Sequence, residues 1–448
     1  MEVMRLGEIA AACEGRCICP ASLLDAPVND VVIDSRLAGP GSLYVPIRGE
    51  RFDGHRFIGD ARAKGALCVL SERALETEPY ILVPDALAAL QAIAAHYRSR
   101  FSIPIVAITG SVGKTSAKEM LAAVLGTRFR VLKTQGNMNN QTGVPLTLFR
   151  LEARHEAAVI EMGTNHFGEI AALAKMASPT IALITNIGVA HIEFFGSREG
   201  ILRGKTEMLP YLRPGGHVIV NGDDDLLASV PGAMRYGTGA ACDLRAADIE
   251  DRGLAGMDFT AVYGGRSARV HVPSPGRHAV MNALAAMAVG LRLGLALEAL
   301  AQGVAAFEPP AGRMCVTRTE RFTVLDDSYN ANPTSVMAAI DVLEGVKGRR
   351  VCILGDMREL GGQSAAFHEE AGRYAALHGA DLILCVGPEA ESCFRGAKAV
   401  APQRAHYFAT QEGLISMLPR LLVKGDTVLV KASRGMHLER TVEALLQA

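Results

Sequence analysis

Short apolar runs bounded by glycine, proline and polar clusters recur along the whole chain. Near the N-terminus, Val31 to Ile33, Leu43 to Ile47, Leu67 to Leu70 and Ile81 to Val83 predict buried strands. A helix is expected after Pro84 and Asp85, where Leu87, Leu90, Ile93, Ala94 and Tyr97 fall at helical spacing. Pro104 then separates this segment from a region in which Ile105 to Thr109, Ala157 to Glu161, Ile181 to Asn186 and Val218 to Asn221 alternate with helical patterns. That alternation predicts a parallel sheet covered by helices. Ala283 to Leu300 reads as one long Ala/Leu-rich helical stretch, followed by a linker at Glu308-Pro309-Pro310-Ala311-Gly312. Beyond it, Val351 to Leu354, Leu382 to Val386 and Thr427 to Val430 predict a second doubly wound domain. The fold class is α/β in three domains, residues 1–98, 99–310 and 311–448: an N-terminal α/β domain, a central parallel-sheet domain and a C-terminal Rossmann-like domain.

Composition narrows the classes. A chain of 448 residues is too long for one core, and 49% hydrophobic with 21% charged residues is ordinary for globular α/β proteins. No run approaches the roughly 20 apolar residues of a membrane span. The opening MEVMRLGEIAAACEG carries Glu2 and Glu8 and lacks a signal peptide's basic-then-apolar layout, so a cytoplasmic protein is expected. With 46 basic against 47 acidic side chains there is no electrostatic case for nucleic acid or anionic lipid, and small-molecule partners are expected of a monomer. Nine scattered cysteines suit reduced thiols; Cys13, Cys17 and Cys19 cluster, without a second thiol pair or histidine at zinc-site spacing.

The chemistry begins at Thr109 to Ser116, TGSVGKTS, where the run Ile103 to Ile108 enters a glycine loop. Gly110 and Gly113 let backbone N–H groups of Ser111, Val112 and their neighbours turn toward one anion, and the helix starting near Lys114 adds its positive end. Lys114 supplies a point charge to the outer phosphates of ATP, and the Thr115 hydroxyl is suited to Mg²⁺. Two residues between the glycines, instead of the usual four, set this loop apart from motors and switch GTPases.

In open parallel sheets, ligands bind outside the carboxyl ends of strands. Glu161 ends AAVIE, where a phosphate-loop enzyme places a magnesium carboxylate or where a strand simply meets solvent. Asn186 ends IALITN, and His191 follows five residues on, as a ligand or as a structural residue. Ile201, Lys205, Met208 and Leu212 fall on one helical stripe. A lysine there either snorkels or is desolvated to a neutral amine that adds carbon dioxide, becoming an anionic carbamate ligand for a second Mg²⁺. The loops Asp326 to Asn330, Gly355 to Glu359 and Lys431 to Arg434 sit at or just after strands of the last domain.

Together these segments resemble the Mur ligase family over nearly the whole chain. DSRLAGPGSLYVPIRGERFDGHRFI is similar to its uridine-nucleotide-binding segment, TGSVGKTS to its shortened phosphate loop, and QGNMNNQTGVPLTL, EMGTNHFGEI, TNIGVAHIEFFGS, DDSYNANP and LGDMRELG to its dipeptide-adding branch. The resemblance implies ATP-dependent addition of D-alanyl-D-alanine to UDP-N-acetylmuramoyl-tripeptide through an acyl phosphate. By position it makes Gly110 to Ser116 the phosphate loop, with Lys114, His191 and Lys205 catalytic. It makes Thr115, Glu161, His191 and carbamylated Lys205 the ligands of two Mg²⁺ ions. Asn282, Arg313, Asp327, Tyr329 and Asn330 would contact the nucleotide, and Ser35, Arg36, Arg48, Asp53, His55, Asn139 and Asn140 the UDP-linked substrate. The departures are small: Ser111-Val112 in the loop, and Ala432 where glycine often follows the lysine. Three other readings stay open: a sister ligase adding one amino acid to the dipeptide precursor, a folate or cyanophycin ligase, and a non-catalytic nucleotide-binding regulator.

Overall fold

The computed structural model describes residues 1–49, 52–189 and 192–447. The chain forms two compact units, the first made of Met1–Thr109, Arg128–Leu183 and Gly204–Val218, the second of Gly110–Thr127, Ile184–Arg203 and Ile219–Ala448.

The first unit opens with a five-stranded sheet in the order Arg16–Ile18, Tyr80–Leu82, Cys68–Ser71, Ser42–Tyr44, Asp30–Val32, parallel except at its first pair. The helix Ala86–Ser99 begins where expected, because the Asp85 carboxylate accepts the N–H of Ala88 at 2.9 Å. Its buried stripe of Ala86, Ala89, Leu90, Ile93, Ala94 and Tyr97 packs against the helices Gly143–Leu148 and Glu169–Ala177. Arg98, on the same helix, is buried and donates to the carbonyls of Ala177 (2.9 Å) and Ser178 (3.3 Å), setting a cation on the negative end of Glu169–Ala177. Burial lowers Arg98 to about 10, so it stays charged at neutral pH. Beside these helices the strand Ile105–Thr109 is parallel to Ala157–Glu161, which in turn pairs with Val131–Lys133. Ile105–Thr109 and Ala157–Glu161 are buried on both faces, the pattern of a covered parallel sheet.

The strand His217–Asn221 enters the second unit at Ile219 and runs parallel with Met234–Gly237, as Met234–Gly237 does with Leu244–Asp251, and then Met257–Tyr263 and Arg266–Val272 continue as an antiparallel meander. The parallel pattern expected for the central segment therefore ends at Leu244–Asp251. Met257, Phe259 and Ala261 are buried on alternate positions, and Gly264-Gly265 turns the chain back with both residues at positive φ. The stretch expected as one long helix is two, Arg277–Arg292 and Leu297–Ala305. Gly294, at φ 82°, ends the first of them. The C-terminal sheet has six strands in the order Cys315–Arg318, Thr323–Asp327, Thr427–Lys431, Arg350–Gly355, Leu382–Val386, Ala405–Phe408, parallel after the first pair.

Among the described residues no helix is long and apolar enough to cross a membrane. Cys17 and Cys19 hold their Sγ atoms 3.2 Å apart, but they belong to no group of three ligating side chains among the described residues.

Candidate functional site

In the second unit the phosphate loop is braced from behind by Asn186. The N–H of Ser111 donates to the Asn186 carbonyl (3.1 Å), that of Val112 to Asn186 Oδ1 (2.9 Å), and Asn186 Nδ2 donates back to the Val112 carbonyl (2.8 Å). A Cβ on Gly110 would lie 1.9 Å from Thr185 Oγ1, and Gly113 caps the helix Lys114–Gly126 at φ 78°, so both glycines are required by contact or conformation. Lys114 Nζ donates to the carbonyls of Gly110 (2.7 Å) and Ser111 (3.5 Å). Thr115 Oγ1 accepts a hydrogen bond from Arg313 Nη2 at 3.0 Å.

Arg313 ties the loop to residues 198 positions later in the chain. Its guanidinium lies 4.1 Å from the centroid of the Tyr329 ring, and that of Arg434 lies 5.0 Å from the same ring. Strand register sets Asp327 opposite Lys431, and the buried Lys431 ammonium pairs with the Asp327 carboxylate and donates to the Asn330 carbonyl at 3.1 Å. Asn282 Oδ1 lies 3.5 Å from where a Gly113 Cβ would stand. The structure thus gathers Gly110 to Ser116, Asn282, Arg313, Asp327, Tyr329 and Asn330 within one unit. At the carboxyl ends of Arg350–Gly355 and Leu382–Val386, a cavity of about 400 Å³ is lined by Glu359, Ser364, Glu389 and Ser392 among others.

In the first unit Glu161 closes its strand as a carboxylate only 1% exposed. Its N–H donates to Thr134 Oγ1 (2.9 Å) and its Oε1 accepts from Asn139 Nδ2 (2.8 Å). Asn140, expected beside substrate, accepts the N–H of Gly143 on Oδ1 at 2.8 Å, at the start of Gly143–Leu148. Lys205 is 3% exposed near the end of Arg198–Thr206, which stops before Met208 and Leu212, so the expected stripe runs past the helix. His191 lies outside the described residues.

The uridine-like segment also lies in this unit. Ser35 opens a short turn whose cap, Asp34, is clamped by the Arg36 guanidinium and held down to about 2. Arg48 faces Asp53 at 3.9 Å and Glu72 at 3.5 Å. His55 uses both ring nitrogens internally: Nδ1 meets Asp53 Oδ1 at 2.7 Å and Nε2 accepts the N–H of Glu72 at 3.2 Å. The backbone and ring N–H groups of His55 hold Asp53 below the ordinary carboxylate range. His55 therefore shapes the site through Asp53.

Three family models match the chain: "Mur ligase family, catalytic domain" over residues 27–98, "Mur ligase middle domain" over 108–290, and "Mur ligase, glutamate ligase domain" over 312–434. The UDP-N-acetylmuramoyl-tripeptide–D-alanyl-D-alanine ligase of Escherichia coli is 40% identical, with 94% of each chain covered. The chain belongs to the Mur ligase family. A crystal structure of MurF from Acinetobacter baumannii matches it with a TM-score of 0.92 at 33% identity, covering 100% of both chains. MurF ligase from Thermotoga maritima, in complex with ADP, matches with a TM-score of 0.84 at 29% identity over 94% of this chain and 97% of that one. The three-domain α/β architecture is that of the family.

As a Mur ligase the chain has functional candidates that sequence reasoning left without a role. Asn186 and Lys431 were visible as strand ends, but their bonds to the loop and to Asp327 depend on sheet order. His278 was missed. It stands four residues before Asn282 on Arg277–Arg292, with its side chain exposed. That i, i+4 spacing to Asn282 was the available signal. The Glu161 carboxylate in the first unit and the Thr115 hydroxyl in the second are each hard oxygen donors of the kind that suits Mg²⁺.

Proposed function

We propose that the protein uses ATP to join the terminal carboxylate of UDP-N-acetylmuramoyl-tripeptide to the amine of D-alanyl-D-alanine. A carboxylate oxygen attacks the γ-phosphorus and ADP leaves. The amine nitrogen then attacks the acyl carbon of the resulting acyl phosphate, phosphate departs, and one proton is released with the new amide. The contact that carries the nucleotide part is Arg313 on Thr115, which brings a residue of the last domain to the phosphate loop. Substrate identity is supported by the names of the relatives and by the GNMNN and DDSYNANP runs.

Lys114 and the loop N–H groups screen the phosphates as the anionic carboxylate approaches, and Tyr329, braced by Arg313 and Arg434, and Asn282 orient the nucleotide. Mg²⁺, held by Thr115 and Glu161 with His191 and carbamylated Lys205 as further ligands, would add charge neutralisation. Burial of Lys205 supports the carbamate, because desolvation favours the neutral amine that adds CO₂ with loss of a proton. The cavity at Glu359 and Glu389 offers carboxylates to the ammonium end of the dipeptide. Alignment of the two reactants accounts for ~7 to 11 kcal/mol of barrier lowering.

The boundaries 1–98, 99–310 and 311–448 enclose the three matched segments. Free thiols at all nine cysteines support a cytoplasmic setting. A multiple-turnover ADP-release assay tests the reading: sustained release should require both the UDP-tripeptide and D-alanyl-D-alanine, and sustained release indifferent to either contradicts it.

A further inference from the structure

The GNMNN run, which the resemblance places at the substrate, also meets Glu161, the carboxylate proposed above as a metal ligand. Asn139 Nδ2 donates to Glu161 Oε1 at 2.8 Å, and the Asn139 carbonyl accepts the N–H of Gly163 at 2.8 Å, two residues past Glu161. Gly163 leaves the room this needs: a Cβ there would stand 3.0 Å from Asn139 Cγ and Oδ1. The other side of the strand end is tied by the bond from the Glu161 N–H to Thr134 Oγ1. Glu161 is almost fully buried, where an ionised carboxylate must be oriented by donors to persist.

We propose that Asn139 is a positioning residue that fixes the Glu161 carboxylate for a divalent cation, so that this run serves metal affinity before substrate contact. Resting on the reading of Glu161 as a metal ligand, the proposal extends it outward by one hydrogen bond. A neutral amide suits the task because it orients one carboxylate oxygen without bringing a competing cation. Loss of such an outer partner typically weakens metal binding by about 10- to 100-fold. Asn140 is the built-in contrast, since its Oδ1 accepts from Thr142 and from the Gly143 N–H at the start of a helix and not from a partner of Glu161.

The test is Mn²⁺ titration of the full-length protein with ADP present, read by the electron-spin resonance of free Mn²⁺, for the wild type and Asn139→Ala, Asn139→Leu, Asn140→Ala and Glu161→Gln. Both Asn139 variants should bind Mn²⁺ about 10- to 100-fold more weakly while keeping metal-free ADP affinity. Asn139→Leu keeps the volume and lacks the donor, so it reads the same loss should the alanine variant fold poorly. Asn140→Ala should lower the melting temperature with Mn²⁺ affinity unchanged. If Glu161→Gln loses Mn²⁺ and both Asn139 variants retain wild-type affinity, the positioning role is wrong and the ligand reading stands. If Glu161→Gln itself binds Mn²⁺ as the wild type does, both are wrong.

Discussion

Lys114 holds its ammonium on the carbonyls of its own loop, half-exposed, so truncating it removes charge without opening a core cavity. Lys114→Ala should cut turnover by at least about 100-fold, the scale of one preorganised transition-state donor, with the melting temperature nearly unchanged. ADP release and thermal unfolding measure the two. Lys205 separates by chemistry. Lys205→Ala should lose turnover that acetate or formate partly restores, and Lys205→Arg, a permanent cation unable to form a carbamate, should stay inactive with or without the acid. Normal turnover of the arginine variant would make Lys205 an ordinary buried helix residue.

At the scale of elements, the caps carry the measurable weight. Asp85→Ala removes the acceptor for the Ala88 N–H and should cost about 1 kcal/mol, read from denaturant unfolding. Asp356 caps another helix, accepting the N–H groups of Glu389 (3.0 Å) and Ala390 (2.8 Å), but burial raises its pKa. A raised carboxyl contributes stability below its unfolded value near ~3.9 and loses it as pH rises through the folded value. Asp356→Asn, which keeps an acceptor and drops the charge, should therefore gain stability over the wild type as pH rises above ~3.9, relative to its difference below that pH. Elements with such local signals were legible in the sequence: Asp85 before an apolar stripe, and two close glycines before Lys-Thr. The break at Gly294 was not, because Ala and Leu on both sides keep the helical pattern running through it. The meander was hidden for a related reason: Ala261 buries a side chain too small to register as an apolar beat, and Asp258 and Thr260 stand on the other face. At the site, Glu161 was legible as a strand end, whereas the Asn139 bond joins residues 22 apart through loop geometry that no local pattern encodes.

For the whole molecule, the account requires that chain segments far apart act on one reaction. Arg313 on Thr115, and Lys431 on Asp327, are contacts of that kind inside the second unit. ADP should accordingly stabilise the protein in proportion to its occupancy, by about 2.7 kcal/mol at 100 times its Kd, and Arg313→Ala should shift that concentration dependence upward. The choice of substrates is the central claim, and competition decides it. The protein is incubated with ATP, Mg²⁺, UDP-N-acetylmuramoyl-tripeptide, UDP-N-acetylmuramoyl-dipeptide, D-alanyl-D-alanine, lysine and diaminopimelate together, and the products are weighed by mass spectrometry. The account predicts a UDP-muramoyl pentapeptide, formed one for one with ADP, as the product. A single amino acid added to the dipeptide precursor, with the tripeptide untouched, would contradict it.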